Sequence, residues 1–151
     1  MRQAAVLSGV IAAIALIAAG CGGGGSSTTA QVSKAQFVKK GNAICTAGNK
    51  RVQGEFEAFA KESGLKEGEE PSKAQDEELA ETILLPSVSQ EVEEIKALGF
   101  PDEEAEAVME SAEESIEKGE EDPAAVVTSA SAFTKTNKLA HAYGLTVCGE
   151  E

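Results

Sequence analysis

Apolar residues recur at helical spacing through most of this chain, and no stretch alternates as a half-buried strand would. From Phe37, the positions Gly41, Ile44, Cys45, Gly48, Val52, Phe56 and Phe59 form one stripe along a helix of about 30 residues. Its start is marked twice: Ser33 and Gln36 have the spacing of a capping box, and Val32 and Phe37 that of a hydrophobic staple. Cys45 falls on the inward face. Gly41 and Gly48 lie inside the stripe, where close approach of another helix offsets their low helix propensity.

A polar, acidic stretch over 63–72 reads as a loop with the composition of a disordered segment. Ser72 and Gln75 then form a second capping box, followed by Asp76, Glu77 and Glu78, which suit a helix N-terminus. The apolar positions of this second helix run from Leu79 through Ile83, Leu84, Val88, Val92 and Ile95 to Leu98. Pro86 interrupts them. Proline removes an amide donor and clashes with the preceding turn, so the helix is expected to kink there or to break and restart, a kink being favoured.

Gly99 suits the left-handed residue after a helix, and Asp102 the N-cap of a third helix. That helix is rich in glutamate around a modest stripe of Ala105, Val108, Met109, Ala112 and Ile116, and is expected to be the least stable element. Asp122-Pro123 opens a fourth, running through Val126, Phe133, Asn137 and Ala140 to Tyr143, with Gly144 and Leu145 closing it. The pattern predicts an all-α fold: a small antiparallel bundle of about four helices.

The N-terminal stretch is different in kind. Residues 3–20 carry no charge, follow Arg2, and end in Leu16-Ile17-Ala18-Ala19-Gly20-Cys21, which reads as a bacterial lipobox. The expectation is a signal peptide over 1–20, with Cys21 lipidated and holding the protein to the membrane. A Gly/Ser/Thr tether over 21–31 with a reach of roughly 17 Å follows, and then one helical domain over 32–151. A retained anchor helix is the alternative, although Ala4 to Gly20 is short of the about 20 strongly apolar residues a span needs. Both readings put the domain outside the cytoplasm.

Composition sharpens this picture. Leu, Ile, Val and Phe make up about a fifth of the residues from Val32 onward, so the core is expected to be thin. The chain holds 13 basic and 26 acidic side chains for a net charge of -13, and removal of Arg2 makes the mature protein one unit more negative. Such a charge argues against a nucleic-acid partner, because phosphate binding needs clustered Lys and Arg.

The basic residues nonetheless gather on the first helix: Lys34, Lys39, Lys40, Lys50 and Arg51 precede its first acid, Glu55. They are a candidate membrane-facing patch, each cation contributing about 1 kcal/mol near anionic headgroups; an ordinary solvated face is the alternative. With Cys21 committed to lipid, Cys45 and Cys148 are expected to form one disulfide. It would close a loop of about 100 residues and contribute about 4.7 kcal/mol, a large share of a typical domain stability of about 5–15 kcal/mol.

Chemistry is scarce. His141 is the only histidine, no metal-type Cys/His spacing or phosphate loop is present, and the serines lack a neighbouring base. Paired carboxylates such as Glu120, Glu121 and Asp122 lack the alternating ligand loop of an EF-hand. The expectation is no cofactor, no metal, no catalytic residue and no enzymatic activity.

Phe37-x6-Ile44-Cys45, the Leu98 to Pro101 turn and Tyr143-Gly144-Leu145-x2-Cys148 resemble a group of small bacterial lipoproteins of high-G+C Gram-positive lineages. The resemblance implies an extracytoplasmic helical domain with one disulfide, and supplies no catalytic residues. The function expected first is a tethered interaction or envelope-binding module that meets an unknown protein or cell-wall partner. The alternative is a carrier of a small apolar ligand between helices, lined by Phe56, Phe59, Phe100, Phe133 and Tyr143. A cavity of roughly 300 Å³ or more would favour the carrier.

Overall fold

The computed structural model describes residues 31–66, 68–129 and 131–148, and every regular element among them is helical. The expected signal peptide, the lipidation site Cys21 and most of the tether lie outside the described residues. α1 spans Lys34–Glu62. Gln36 N–H donates to Ser33 Oγ and Ser33 N–H to Gln36 Oε1, both at 3.3 Å, and Val32 rests against the same cluster as Phe37. The stripe buries Phe37, Gly41, Cys45, Gly48 and Phe59, while Phe56 remains 41% exposed.

The second stripe stays helical through Pro86. α2 (Lys73–Leu79) passes into a π-helical stretch, Ala80–Leu84, and then into α3 (Leu85–Lys96). Leu85 N–H reaches back to Ala80 O, a five-residue step. The proline ring conflicts with the carbonyl one turn before it, and widening that turn relieves the conflict without ending the helix. Ser87 does not act as a fresh cap. It is buried instead, and its hydroxyl bonds to Arg51 and Glu91.

α4 (Glu103–Glu121) starts as expected, with Asp102 Oδ1 accepting from Ala105 N–H at 2.9 Å. Its packing runs against the expectation of a weak element. It buries Ala105, Val108, Met109, Ser111, Ala112, Ser115, Ile116 and Gly119, more residues than any other element. Small side chains make this work: a Cβ on Gly119 would stand 2.7 Å from Leu85 Cδ2 and 2.9 Å from Val126 Cγ2. The hydroxyls of Ser111 and Ser115 both lie 2.9 Å from Thr136 Oγ1, so α4 and its neighbour share a satisfied polar seam.

The expected fourth helix is two. α5 (Pro123–Thr128) is followed by a 3-10 turn, Ser131–Phe133, and then by α6 (Thr134–Tyr143). Thr128 and Ser129 hydroxyls each donate at 2.8 Å to the carbonyl four residues back, Ala124 and Ala125. Such local bonding competes with the helix ladder, and the helix ends there.

α1 packs on α3, α3 on α4 and α4 on α6 around the main core, while Phe59, Leu79 and Ile83 form a smaller cluster with Leu65 and Val127. Lysines from α1, α3 and α6 (Lys34, Lys96 and Lys135) reach Glu104, Glu113 and Glu114 of α4. The acidic face of α4 thus holds its neighbours, although exposed pairs contribute only about 0–1 kcal/mol each.

Candidate functional site

The site begins at the C-terminal end of α6. Gly144 takes a φ of +111°, which turns the chain back, and Leu145 is fully buried beside α1. A Cβ on Gly41 would lie 2.5 Å from Leu145 Cδ2, so that glycine makes room for this leucine. Asn42 holds the returning strand of chain: its Nδ2 donates to Gly144 O and its Oδ1 accepts from Val147 N–H, both at 3.0 Å. Cys148 is thereby placed against Cys45 at disulfide distance, their Cα atoms 5.2 Å apart.

Beside the cysteine pair is a pocket of about 360 Å³. α3 supplies Val88, Glu91, Val92 and Ile95, and α4 supplies Val108, Met109 and Ala112. Phe133 precedes α6, which adds Thr136, Asn137 and Ala140; Val126 of α5, Leu145 and both cysteines complete the lining. Most of this lining is aliphatic. The Thr136 hydroxyl is committed to Ser111, donating to its carbonyl at 2.7 Å. Glu91 is the only charged residue in the wall.

Glu91 occupies the space that a Cβ on Gly48 would need, which lets its carboxyl rest between α3 and α1. Ser87 Oγ donates to Glu91 Oε1 at 3.4 Å, and Arg51 Nη2 donates to Ser87 Oγ at 3.1 Å. Burial pushes the Glu91 carboxyl above its ordinary value of 4.5; Arg51 and the Ser87 bond oppose that shift, and Glu94 adds to it.

Of the five aromatic residues expected to line a cavity, Phe133 does so. Phe56 is exposed, and Phe59 belongs to the smaller cluster. Phe100 and Tyr143 instead pack edge-on against Phe37, with ring centroids 6.4 and 5.9 Å away. The walls come from the aliphatic stripes of α3 and α4, which the sequence marks only as core. Ala112 of α4 and Ala140 of α6 are among the small residues of that lining.

The five basic residues of α1 divide. Lys34 Nζ lies 3.2 Å from Glu104 Oε2 and 4.0 Å from the Tyr143 ring centroid, and Arg51 is bound to Ser87. Lys39, Lys40 and Lys50 are exposed.

No family model, curated protein or solved structure matches this chain. Among the described residues no group of His, Cys, Asp and Glu side chains converges as a metal site, and no helix is long and apolar enough to cross a membrane. His141 sits exposed in the last turn of α6.

Proposed function

We propose that this chain is a membrane-tethered, extracytoplasmic lipoprotein anchored through Cys21, whose helices form a small antiparallel bundle that carries a small apolar ligand. The observation that carries the ligand half of the reading is the pocket of about 360 Å³, within the range of small-molecule sites and lined mainly by aliphatic side chains. A depression of about 440 Å³ between α3 and α4 is larger but lined mostly by glutamates. It is therefore the aliphatic lining of the first pocket, rather than volume, that favours a carrier over a module that meets a partner through its surfaces. The anchoring half is supported by the uncharged segment ending at Cys21 and by a cysteine pair suited to an oxidising compartment. Lys39, Lys40 and Lys50 remain as cationic contacts for anionic headgroups. The chain is proposed to bind its ligand without chemically transforming it.

The test uses the full chain in neutral phosphatidylcholine nanodiscs and a neutral apolar probe, n-octanol. Saturating probe is expected to raise the melting temperature of the wild type and to leave that of Ala112→Leu, which fills the pocket, unchanged. An equal response of both proteins contradicts binding in the pocket. Intact-mass analysis tests the anchor: a mature chain starting at Cys21 with added acyl mass supports it, and an unmodified Cys21 overturns it.

A further inference from the structure

The pocket wall carries one charged residue, and an apolar ligand alone would leave it without a direct ion-pair partner. Glu91 lines the pocket, and its carboxyl is held in place on one side by Gly48 and on another by the Ser87 hydroxyl. No lysine or arginine among the described residues forms an ion pair with it within 4.0 Å. The nearest cation in the network, Arg51, donates its hydrogen bond to Ser87 and acts on Glu91 through its charge without a direct ion pair. A carboxylate in an aliphatic wall favours a ligand that brings its own positive hydrogen-bond donor, since ionised donors make the stronger bonds.

We propose that the pocket selects a small lipophilic amine, whose ammonium group meets Glu91 while its hydrocarbon part fills the aliphatic space along α3 and α4. This rests on the carrier reading and adds the ligand's chemical class. Charge complementarity at two ranges supports it. Locally, Glu91 is the only charged wall residue. Globally, a chain with net charge -13 draws cations toward its surface and repels anions, fatty acids included. The groups facing Glu91 are Arg51 of α1, Ser87 and Glu94 of α3, and the Gly48 backbone of α1; Arg51 is the one that competes with a ligand cation.

The chain itself supplies a reporter. Its two methionines are Met1 and Met109, and Met109 lines the pocket. With methyl-labelled methionine in the full chain in neutral phosphatidylcholine nanodiscs, the Met109 signal is titrated with n-octylamine, n-octanol and n-octanoate. The amine is expected to saturate the Met109 shift at a concentration about ten-fold or more below that of the alcohol, with octanoate weakest. Glu91→Gln is expected to bring amine and alcohol to near equality, and Arg51→Gln, which removes the competing cation, to tighten the amine. The wild-type ranking needs no variant to fold. Equal titration by amine and alcohol overturns the head-group assignment and leaves the carrier reading standing; a Met109 signal unmoved by all three probes overturns both.

Discussion

Tyr143 donates its hydroxyl to Asp102 Oδ2 at 3.0 Å, while the other oxygen of that carboxylate caps α4. One side chain thus starts α4 and receives the end of α6. The ring packs edge-on against Phe37 and lies beneath the Lys34 ammonium, so α1, α4 and α6 meet at a single residue that is 6% exposed.

Burial first, and then the bond to Asp102, push the Tyr143 phenol up to about 12 from an ordinary 10.0. A group whose folded value is raised stabilises the fold below its unfolded value, and that contribution is lost as pH rises through the folded value. Because Tyr143 is the only tyrosine, phenolate absorbance reports it alone. The midpoint is expected near 12 in the folded protein and about 10 in denaturant, with stability falling between them. Asp102→Ala should lower the folded midpoint and cost about 0.5–2 kcal/mol through the lost cap.

Cys45→Ser with Cys148→Ser releases the tail that Asn42 holds, and is expected to cost about 2–5 kcal/mol in denaturant unfolding. Since both cysteines and Leu145 line the pocket, octanol should also lose its effect on the melting temperature. An unchanged unfolding midpoint on reduction of the wild type would refute the staple.

Asn42→Ala removes two hydrogen bonds to the tail, at Gly144 O and Val147 N–H. The expected loss is about 1–3 kcal/mol, because partly buried backbone groups are left unpaired. Urea unfolding of the variant measures it.

Two glycines of α1 should respond with opposite signs to alanine. Nothing lies within 4 Å of a Cβ at Gly54, so Gly54→Ala is expected to stabilise by roughly 0.5–1 kcal/mol through helix propensity. At Gly41 the new methyl meets Leu145, and overpacking of about 1–3 kcal/mol outweighs that gain. Thermal unfolding of the two variants decides, and equal responses would mean that Leu145 does not sit against Gly41.

Glu91 carries a raised pKa, so its contribution favours the folded state below the ordinary carboxylate value of 4.5 and is lost as pH rises through the folded value. Glu91→Gln removes the charged form. The variant is expected to be more stable than the wild type at neutral pH, with the difference shrinking as pH falls toward 4.5. Unfolding curves across that interval check the sign.

Local signals in the chain were readable where chemistry is local. The Ser33 and Ser72 helix starts and the Asp102 cap follow from side chains that act on neighbouring backbone, the Gly144 turn from the backbone freedom of glycine, and the inward Cys45 from helical spacing. Features that depend on two distant segments were not. The π-helical turn before Pro86 and the break after Thr128 reflect competition between hydrogen-bonding options of similar energy, which apolar periodicity does not register. The extent of α4's burial is not visible in its stripe of large apolar residues, because Ser111, Ser115 and Gly119 are buried through their fit to Thr136, Leu85 and Val126. The pocket has a single ring, Phe133, in a wall that is mainly aliphatic, and aliphatic residues at helical spacing read as core. Neither Glu91 nor Asn42 stands out in an acidic chain without its partner in view.

The most direct measurement of the central claim is to isolate the full chain from the envelope in which it is made, denature it, and identify by mass spectrometry the small molecules released. The account predicts a small lipophilic molecule in near one-to-one ratio from the wild type, and its loss from Ala112→Leu. Release of nothing beyond bulk lipid, in equal amounts from both proteins, would contradict it.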